Sequence, residues 1–438
     1  YAADIDGDGI IDVLSASSSD HKIAWYENKY APHAYGPKHL ATFHASNTSY
    51  ARSPCSSAAD CQAKCAEDVG CEGYTESKVV VQQLALGHKF SCSLLSDGKV
   101  KCWGKAEYGQ LGSNLGDSNS IGDQPNEMGS NLPTVDLSKL VKYISAGTEH
   151  ACAILHDDTL QCWGHNSYGQ LGYGDSENRG DQANEMGDNL PTVDLGANIK
   201  VKEVSLGLSK TCAILHDDTL KCWGFGNDGQ LGYGDSSHRG NTGAGANTCN
   251  DGKEMGDCLP RVNLGTGKTV KQVAVSSQHT CAILNDDNSI KCWGRAHRGR
   301  LGYGDATDRH SPPSSTVDLG TDKTAKEIVV GEAHTCAILN DDTVKCWGYN
   351  NYGRLGYGDS DIRGDNSGEM GNSLPTVDLG TCGSSDCTAK QLAAGTAHTC
   401  AILNDNSVKC WGWGSYGQLG YGDGESRGDG GATAYTCN

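Results

Sequence analysis

The 438-residue sequence lacks any apolar run approaching the roughly 20 residues of a membrane-spanning helix, so no span of that kind is expected. It also lacks a basic surplus. Lys and Arg number 35 against 54 Asp and Glu, a net charge of −19. A field of that sign repels phosphate backbones and anionic membrane surfaces, so nucleic acid is not an expected partner. Divalent cations or cationic partners suit it better. No leader peptide is visible ahead of Tyr1, and residues 79–438 show no sustained helical period. A phosphate-cradling loop, a Ser-His-Asp grouping and a carboxylate pair distinct from the loop acids are all missing. The expectation is a protein that is not an enzyme.

Cysteine, by contrast, is abundant, with 21 residues. Most belong to a recurring unit: CSLLSDGKVKCWG (92–104), CAILHDDTLQCWG (152–164), CAILHDDTLKCWG (212–224), CAILNDDNSIKCWG (281–294), CAILNDDTVKCWG (336–348) and CAILNDNSVKCWG (400–412). A short apolar segment such as VKEVSLG (201–207) precedes each, and a loop such as YGQLGYGD (168–175) follows. Apolar and polar residues alternate, and Gly and Asp clusters punctuate them, which is a strand-and-hairpin pattern. The first cysteines recur every 55 to 69 residues. Sheet units at that spacing read as propeller blades, with a solenoid of hairpins as the competing architecture.

The unit resembles the regulator of chromosome condensation repeat, in the G-x-x-H-T approach of Gly331 to Thr335, the Trp347-Gly348 pair and the Y-G-x-L-G of Tyr352 to Gly356. The resemblance covers about residues 79–438 and implies an all-β propeller, usually of seven blades, six of which are visible. It implies nothing about activity, since one fold hosts many functions.

Within each unit the hairpin turn sets the cysteine register. Counting outward from His156-Asp157-Asp158, Leu155 faces Thr159 and Cys152 faces Cys162. Opposed residues of a non-hydrogen-bonded pair have Cα atoms about 4.5 Å apart, a separation a disulfide tolerates. The expected bonds are Cys92–Cys102, Cys152–Cys162, Cys212–Cys222, Cys281–Cys292, Cys336–Cys346 and Cys400–Cys410. Zinc is the weaker alternative, because each pair is isolated in sequence. Cys249 with Cys258, and Cys382 with Cys387, read as local loop closures. Cys437 matches Cys249 by repeat alignment, so its partner is expected beyond Asn438, where a further blade is also expected. Disulfides on this scale imply an extracellular setting.

Residues 1–40 are a different unit. The series Asp4, Asp6, Asp8 and Asp12 around a glycine turn wraps a hard cation, with Ile10 completing the expected set. The stretch resembles an FG-GAP/VCBS-type blade, which implies structural calcium. Residues 41–78 carry Cys55, Cys61, Cys65 and Cys71, expected as disulfides of open pairing. They resemble the core of a PAN/Apple module, read here as a structural spacer. Asn47 opens an Asn-Thr-Ser glycosylation sequon.

Histidines before the cysteines (His88, His150, His279, His334, His398) are expected to hydrogen-bond between blades. The four methionines, Met128, Met186, Met255 and Met370, each in Glu-Met-Gly, are expected to plug apolar gaps. Acids beside them (Asp175, Asp181, Glu185, Asp188) read as turn caps, with calcium as the alternative. Arg-Gly-Asp at 179–181, 363–365 and 427–429 reads as repeat inheritance rather than an adhesive signal. The preferred function is a secreted structural subunit of an extracellular fibre, appendage or matrix, whose partners are its own copies or matrix proteins. The alternative is a secreted propeller that recognises a protein or glycan. Its loops read as mostly alike, apart from 238–260 and 309–315.

Overall fold

Strand follows strand because β-branched residues alternate with polar ones between left-handed turns. A computed structural model describes residues 79–113, 120–241 and 254–429, preceded by backbone strands at Ala2–Ala3, Asp12–Ala16, Ile23–Tyr26, Ala41–Ala45 and Cys71–Glu76. Six three-stranded antiparallel sheets succeed one another. Sheet 1 is Val81–Leu86, Phe90–Leu95 and Val100–Gly104; sheet 2 is Val141–Ala146, His150–Leu155 and Leu160–Gly164. Sheet 3 is Val201–Leu206, Lys210–Leu215 and Leu220–Gly224; sheet 4 is Val270–Val275, His279–Leu284 and Ile290–Gly294. Sheet 5 is Ala325–Val330, His334–Leu339 and Val344–Gly348; sheet 6 is Ala389–Ala394, His398–Leu403 and Val408–Gly412. These are all-β propeller-type blades.

The hairpin between second and third strands closes through an acidic or amide residue in the left-handed region, Asp158 at φ 68° in sheet 2. Leu155 N–H donates to Thr159 and Asp158 N–H to Leu155, a three-residue loop. Sheet 4 absorbs its additional residue in this turn, where Leu284 N–H reaches Ser289 instead.

On the second strand, successive side chains point to opposite faces. In sheet 2, Ala151, Ala153 and Leu155 pack back against sheet 1, while Cys152 and Ile154 pack forward against Val201, Val204 and Trp223 of sheet 3. The pattern repeats, so the five apolar clusters each join two consecutive sheets. A blade apolar on both faces cannot bury itself alone; stacking supplies its core. Sheet 6 departs from the pattern. His398, Cys400 and Ile402 on its forward face are only part-buried, whereas their counterparts in sheets 2 to 5 are buried.

Backbone demands account for two sequence signatures. In sheets 2, 3 and 6 the Trp indole N–H donates to a carbonyl in the loop of the sheet before: Trp163 to Gln110, Trp223 to Gln170 and Trp411 to Arg354, each at 3.0 Å. The tyrosine of Y-G-D then seals the third strand. Tyr173 hydroxyl accepts from Cys162 N–H at 2.9 Å and donates to Cys162 C=O at 2.8 Å, and Tyr357 treats Cys346 alike. An edge strand's polar groups are thereby satisfied and hidden from pairing partners. Burial pushes these phenols up, Tyr303 to about 12.

Disulfides join Cys92–Cys102, Cys152–Cys162, Cys212–Cys222, Cys281–Cys292 and Cys336–Cys346, each with Cα atoms 4.1 Å apart, and Cys400–Cys410 at 4.0 Å. Cys382–Cys387, at 4.9 Å, closes a loop between Thr381–Cys382 and Ser385–Asp386. Cys258 is disulfide-bonded; Cys249, its expected partner, lies outside the described residues. So do Asp4, Asp6, Asp8, Ile10, Asn47, Cys55, Cys61, Cys65 and Cys437. Asp12 and Cys71 each begin a strand.

Candidate recognition surface

The histidines of sheets 2, 4 and 5 are buried and answer to a partner on the next sheet. Nε2 lies 3.0 Å from the hydroxyl of Thr211 for His150, 3.0 Å from Thr335 for His279 and 2.9 Å from Thr399 for His334. Lys210 fills the slot in sheet 3 and donates to Thr280 hydroxyl at 2.7 Å and His279 C=O at 3.0 Å. In sheet 1 the slot holds Phe90, and the facing residue of sheet 2 is Ala151, so an apolar pair replaces the polar one. His88 stands two residues earlier and is exposed; the expected grouping of His88 with the others is corrected, because Phe90 is the residue at their strand position. Burial holds His150 and His334 to about 3 and His398 to about 4. These rings are neutral, shielded and structurally committed, which suits an interlock and not proton transfer to a solvent-borne substrate.

The loop acids cap turns. Glu185 accepts from Gly180 N–H at 2.9 Å and Gln182 N–H at 3.0 Å, and Asp175 accepts from Glu177 N–H at 3.0 Å and Asn166 at 2.9 Å. Among the described residues no group of three His, Cys, Asp or Glu side chains is placed to hold a metal. Met186, Met255 and Met370 are buried, whereas Met128 is 43% exposed, so the gap-filling expectation fails there. The Arg of each Arg-Gly-Asp is occupied by its own loop: Arg179 pairs with Asp175, Arg363 with Asp359 and Arg427 with Asp423. Each also stacks on the Y-G-D tyrosine.

Antiparallel order puts the hairpin turns at one edge of every sheet and the residues following Trp-Gly at the other. The turn edge is largely self-paired: Asp158 with Lys142, Asp218 with Lys202 at 2.6 Å and Asp342 with Lys326 at 2.6 Å, with Asn288 and Asn406 taking the Asp place in sheets 4 and 6. The opposite edge is not uniform. The residue directly after Trp-Gly is Lys105, His165, Phe225, Arg295, Tyr349 and Trp413 in the six sheets, different in each, and part-exposed in all. Several meet the preceding sheet's loop. Tyr108 and His165 have ring centroids 4.5 Å apart, Tyr168 and Phe225 4.9 Å, and Tyr352 and Trp413 5.8 Å. Arg298 lies 3.8 Å over the Tyr349 ring. The result is a row of aromatic and cationic side chains, four of which pack against a ring or guanidinium from the preceding sheet's loop. Within loops that are otherwise mostly alike, the position directly after each Trp-Gly differs in all six sheets.

Comparison with known sequences matches the Regulator of chromosome condensation (RCC1) repeat at residues 81–110, 141–170, 270–300, 325–354 and 389–418, and again over 217–283. The chain is 28% identical over 360 residues to the Ultraviolet-B receptor UVR8 of Arabidopsis thaliana, covering 82% of this chain and 71% of that protein. It is 28% identical over 284 residues to the E3 ubiquitin-protein ligase HERC2 of Homo sapiens, covering 64% of this chain but 5% of that protein. Human WBSCR16 superposes with a TM-score of 0.60 at 19% identity, covering 82% of both chains. Yeast RCC1 (Prp20), solved bound to Kap60, gives a TM-score of 0.58 at 18% identity, covering 80% of this chain and 74% of that one. At these identities the structural likeness establishes the fold.

Proposed function

Because this chain carries RCC1 repeats, we propose that it is a non-enzymatic binding propeller, secreted and disulfide-locked, that engages its partner through the row following the Trp-Gly pairs. One observation carries the reading: six sheets that share most of their structural residues carry six different residues at that part-exposed position, each aromatic or cationic except for the ring of His165, which can be either. A position under selection for stability alone favours a narrow set of residues at equivalent sites, as the Gly, Asp and Asn of the turn edge illustrate. Aromatic and arginine side chains anchored by rigid neighbours are the groups that supply most binding energy at interfaces. Yeast RCC1 (Prp20), solved bound to Kap60, is a protein of this fold with a protein partner. The extracellular placement rests on buried disulfides in every sheet. Structural calcium at Asp4, Asp6, Asp8 and Asp12, and a glycan on Asn47, belong to the same proposal on sequence pattern alone.

A second reading, an extracellular fibre or matrix subunit, draws support from the near-identical, disulfide-stapled repeats. Alanine substitution separates the two. Phe225→Ala, Tyr349→Ala and Trp413→Ala are each expected to weaken binding of labelled protein to source cells and their secreted matrix about fivefold or more, while Asp217→Ala and Asp341→Ala at the turn edge leave it unchanged. Equal effects at both edges, or none at the row, would defeat the recognition reading. Self-assembly by sedimentation, unaffected by the row variants, would favour the fibre.

A further inference from the structure

Ten arginines lie among the described residues. Six are ion-paired with aspartate: Arg179, Arg239, Arg261, Arg309, Arg363 and Arg427. The other four, Arg295, Arg298, Arg300 and Arg354, have no carboxylate within ion-pair distance, and all four meet between sheets 4 and 5 on the variable row. Arg298 and Arg354 both stack on Tyr349, at 3.8 and 4.9 Å from the ring centroid. Arg300 donates to Gln278 Oε1 at 2.6 Å and to the carbonyl of Glu332 at 3.2 Å. The Glu332 carboxylate, exposed nearby, pairs with none of them. Their field reaches His297, which burial and then Arg298, Arg295 and Arg300 push down against the opposing pull of Asp308.

Arg300 and Arg354 are buried, bonded to carbonyls and within the longer-range field of Glu332, whereas Arg295 and Arg298 are part-exposed, so in a chain of net charge −19 the patch offers two accessible guanidiniums backed by two buried ones. Like charges held together cost free energy unless an anion joins them. The aromatic row continues directly from the cluster: Tyr352 is 41% exposed beside Trp413, and Trp413 lies 4.6 Å from Tyr416, itself 41% exposed.

From this juxtaposition we infer that the patch between sheets 4 and 6 binds an acidic saccharide, a short run of uronate or sulfated sugar. The inference rests on the recognition reading above and names its ligand class. Planar guanidinium forks match carboxylate and sulfate oxygens in bidentate fashion. The flat, part-exposed rings of Tyr352, Trp413 and Tyr416 match the C–H faces of pyranose rings, which an acidic peptide does not present. The surrounding negative charge confines an anion to the patch and opposes a long polyanion such as nucleic acid.

The test is calorimetric titration of the whole protein with a sulfated hexasaccharide, a uronate hexasaccharide, a neutral hexasaccharide and a deca-glutamate peptide. Arg298 has φ 67°, so it is replaced by asparagine, which tolerates that backbone. Binding of at least one acidic sugar is expected, weakened roughly tenfold by Arg298→Asn or Arg295→Ala and by added salt, and unchanged in Arg261→Ala, whose thermal midpoint also serves as a folding reference. The neutral sugar is expected not to bind. Absence of acidic-sugar binding, equal binding of the neutral sugar or the peptide, or indifference to Arg298→Asn would each overturn the inference. Binding of the peptide alone, lost in Trp413→Ala, would overturn the saccharide while sparing recognition by the row. Loss of both requires in addition that the row variants leave binding to source cells intact.

Discussion

Breaking the interlock between sheets 5 and 6 gives the sharpest energetic prediction. His334 Nε2 and Thr399 hydroxyl are 2.9 Å apart, and both residues are fully buried. A buried hydrogen bond contributes about 0.5–1.5 kcal/mol, but removing one partner strands the other at a cost of about 1–3 kcal/mol. The chain contains its own apolar replacement. Phe90 occupies the histidine slot of sheet 1, with Ala151 opposite, and the phenyl ring sits over Gly87 as the imidazole sits over Gly331. Each glycine is required, since a Cβ there would lie 2.1 Å from the ring. His334→Phe alone and Thr399→Ala alone are each expected to destabilise by about 1–3 kcal/mol, and the double variant by about 1 kcal/mol less than their sum. Urea unfolding of the oxidised protein, followed by tryptophan fluorescence, reads all four corners of the cycle. Strict additivity would show that the pairing contributes nothing and that the recurring His–Thr match is incidental.

Acid should loosen the same joints. Burial depresses His150, His334 and His398, so the folded state stays neutral while the unfolded chain takes up protons below 6.5. Stability is thus complete above that value and falls as pH drops toward 3 to 4, by about 2 kcal/mol per buried histidine at pH 5. A thermal midpoint unchanged between pH 7 and pH 5 would contradict this, and the double variant above should show a shallower decline. Removing one staple, Cys336→Ala with Cys346→Ala, closes no loop across its separation of 10 residues and should cost about 2–3 kcal/mol without loss of fold. Lys210 is buried, and desolvation lowers its pKa well below the usual lysine value, so the stability it withholds at neutral pH returns as pH rises toward 10.5. Lys210→His should therefore raise the urea midpoint at pH 7 and flatten the pH dependence between 8 and 10.

The register was legible because strand periodicity and a short acidic turn leave few ways to oppose Cys152 and Cys162. Histidine's structural role was legible too, but not its partner: Thr399 lies 65 residues from His334 in sequence, and only stacking brings them together. His88 was misplaced because G-H-K-F resembles G-x-x-H closely enough to hide that Phe90 carries the strand position. The variable row was in view, as six different residues after six Trp-Gly pairs. It is masked in the sequence because the repeated Y-G-x-L-G and Asp caps dominate each loop over its length. Nothing local in the sequence tells which arginines lack an aspartate. Arg298 and Arg309 look equally supplied with nearby acids until the fold assigns Asp305 to Arg309. Met128 sits in the same Glu-Met-Gly as Met186 yet stays exposed, and we find no structural reason for it.

The most direct measurement is peptide mapping of the native protein, alkylated before any reduction. The account predicts cross-linked peptides joining Cys92 to Cys102, Cys152 to Cys162, Cys212 to Cys222, Cys281 to Cys292, Cys336 to Cys346 and Cys400 to Cys410, with none of these twelve sulfurs alkylated. Alkylated thiols at these positions in native material would contradict the locked sheets and, with them, the secreted placement.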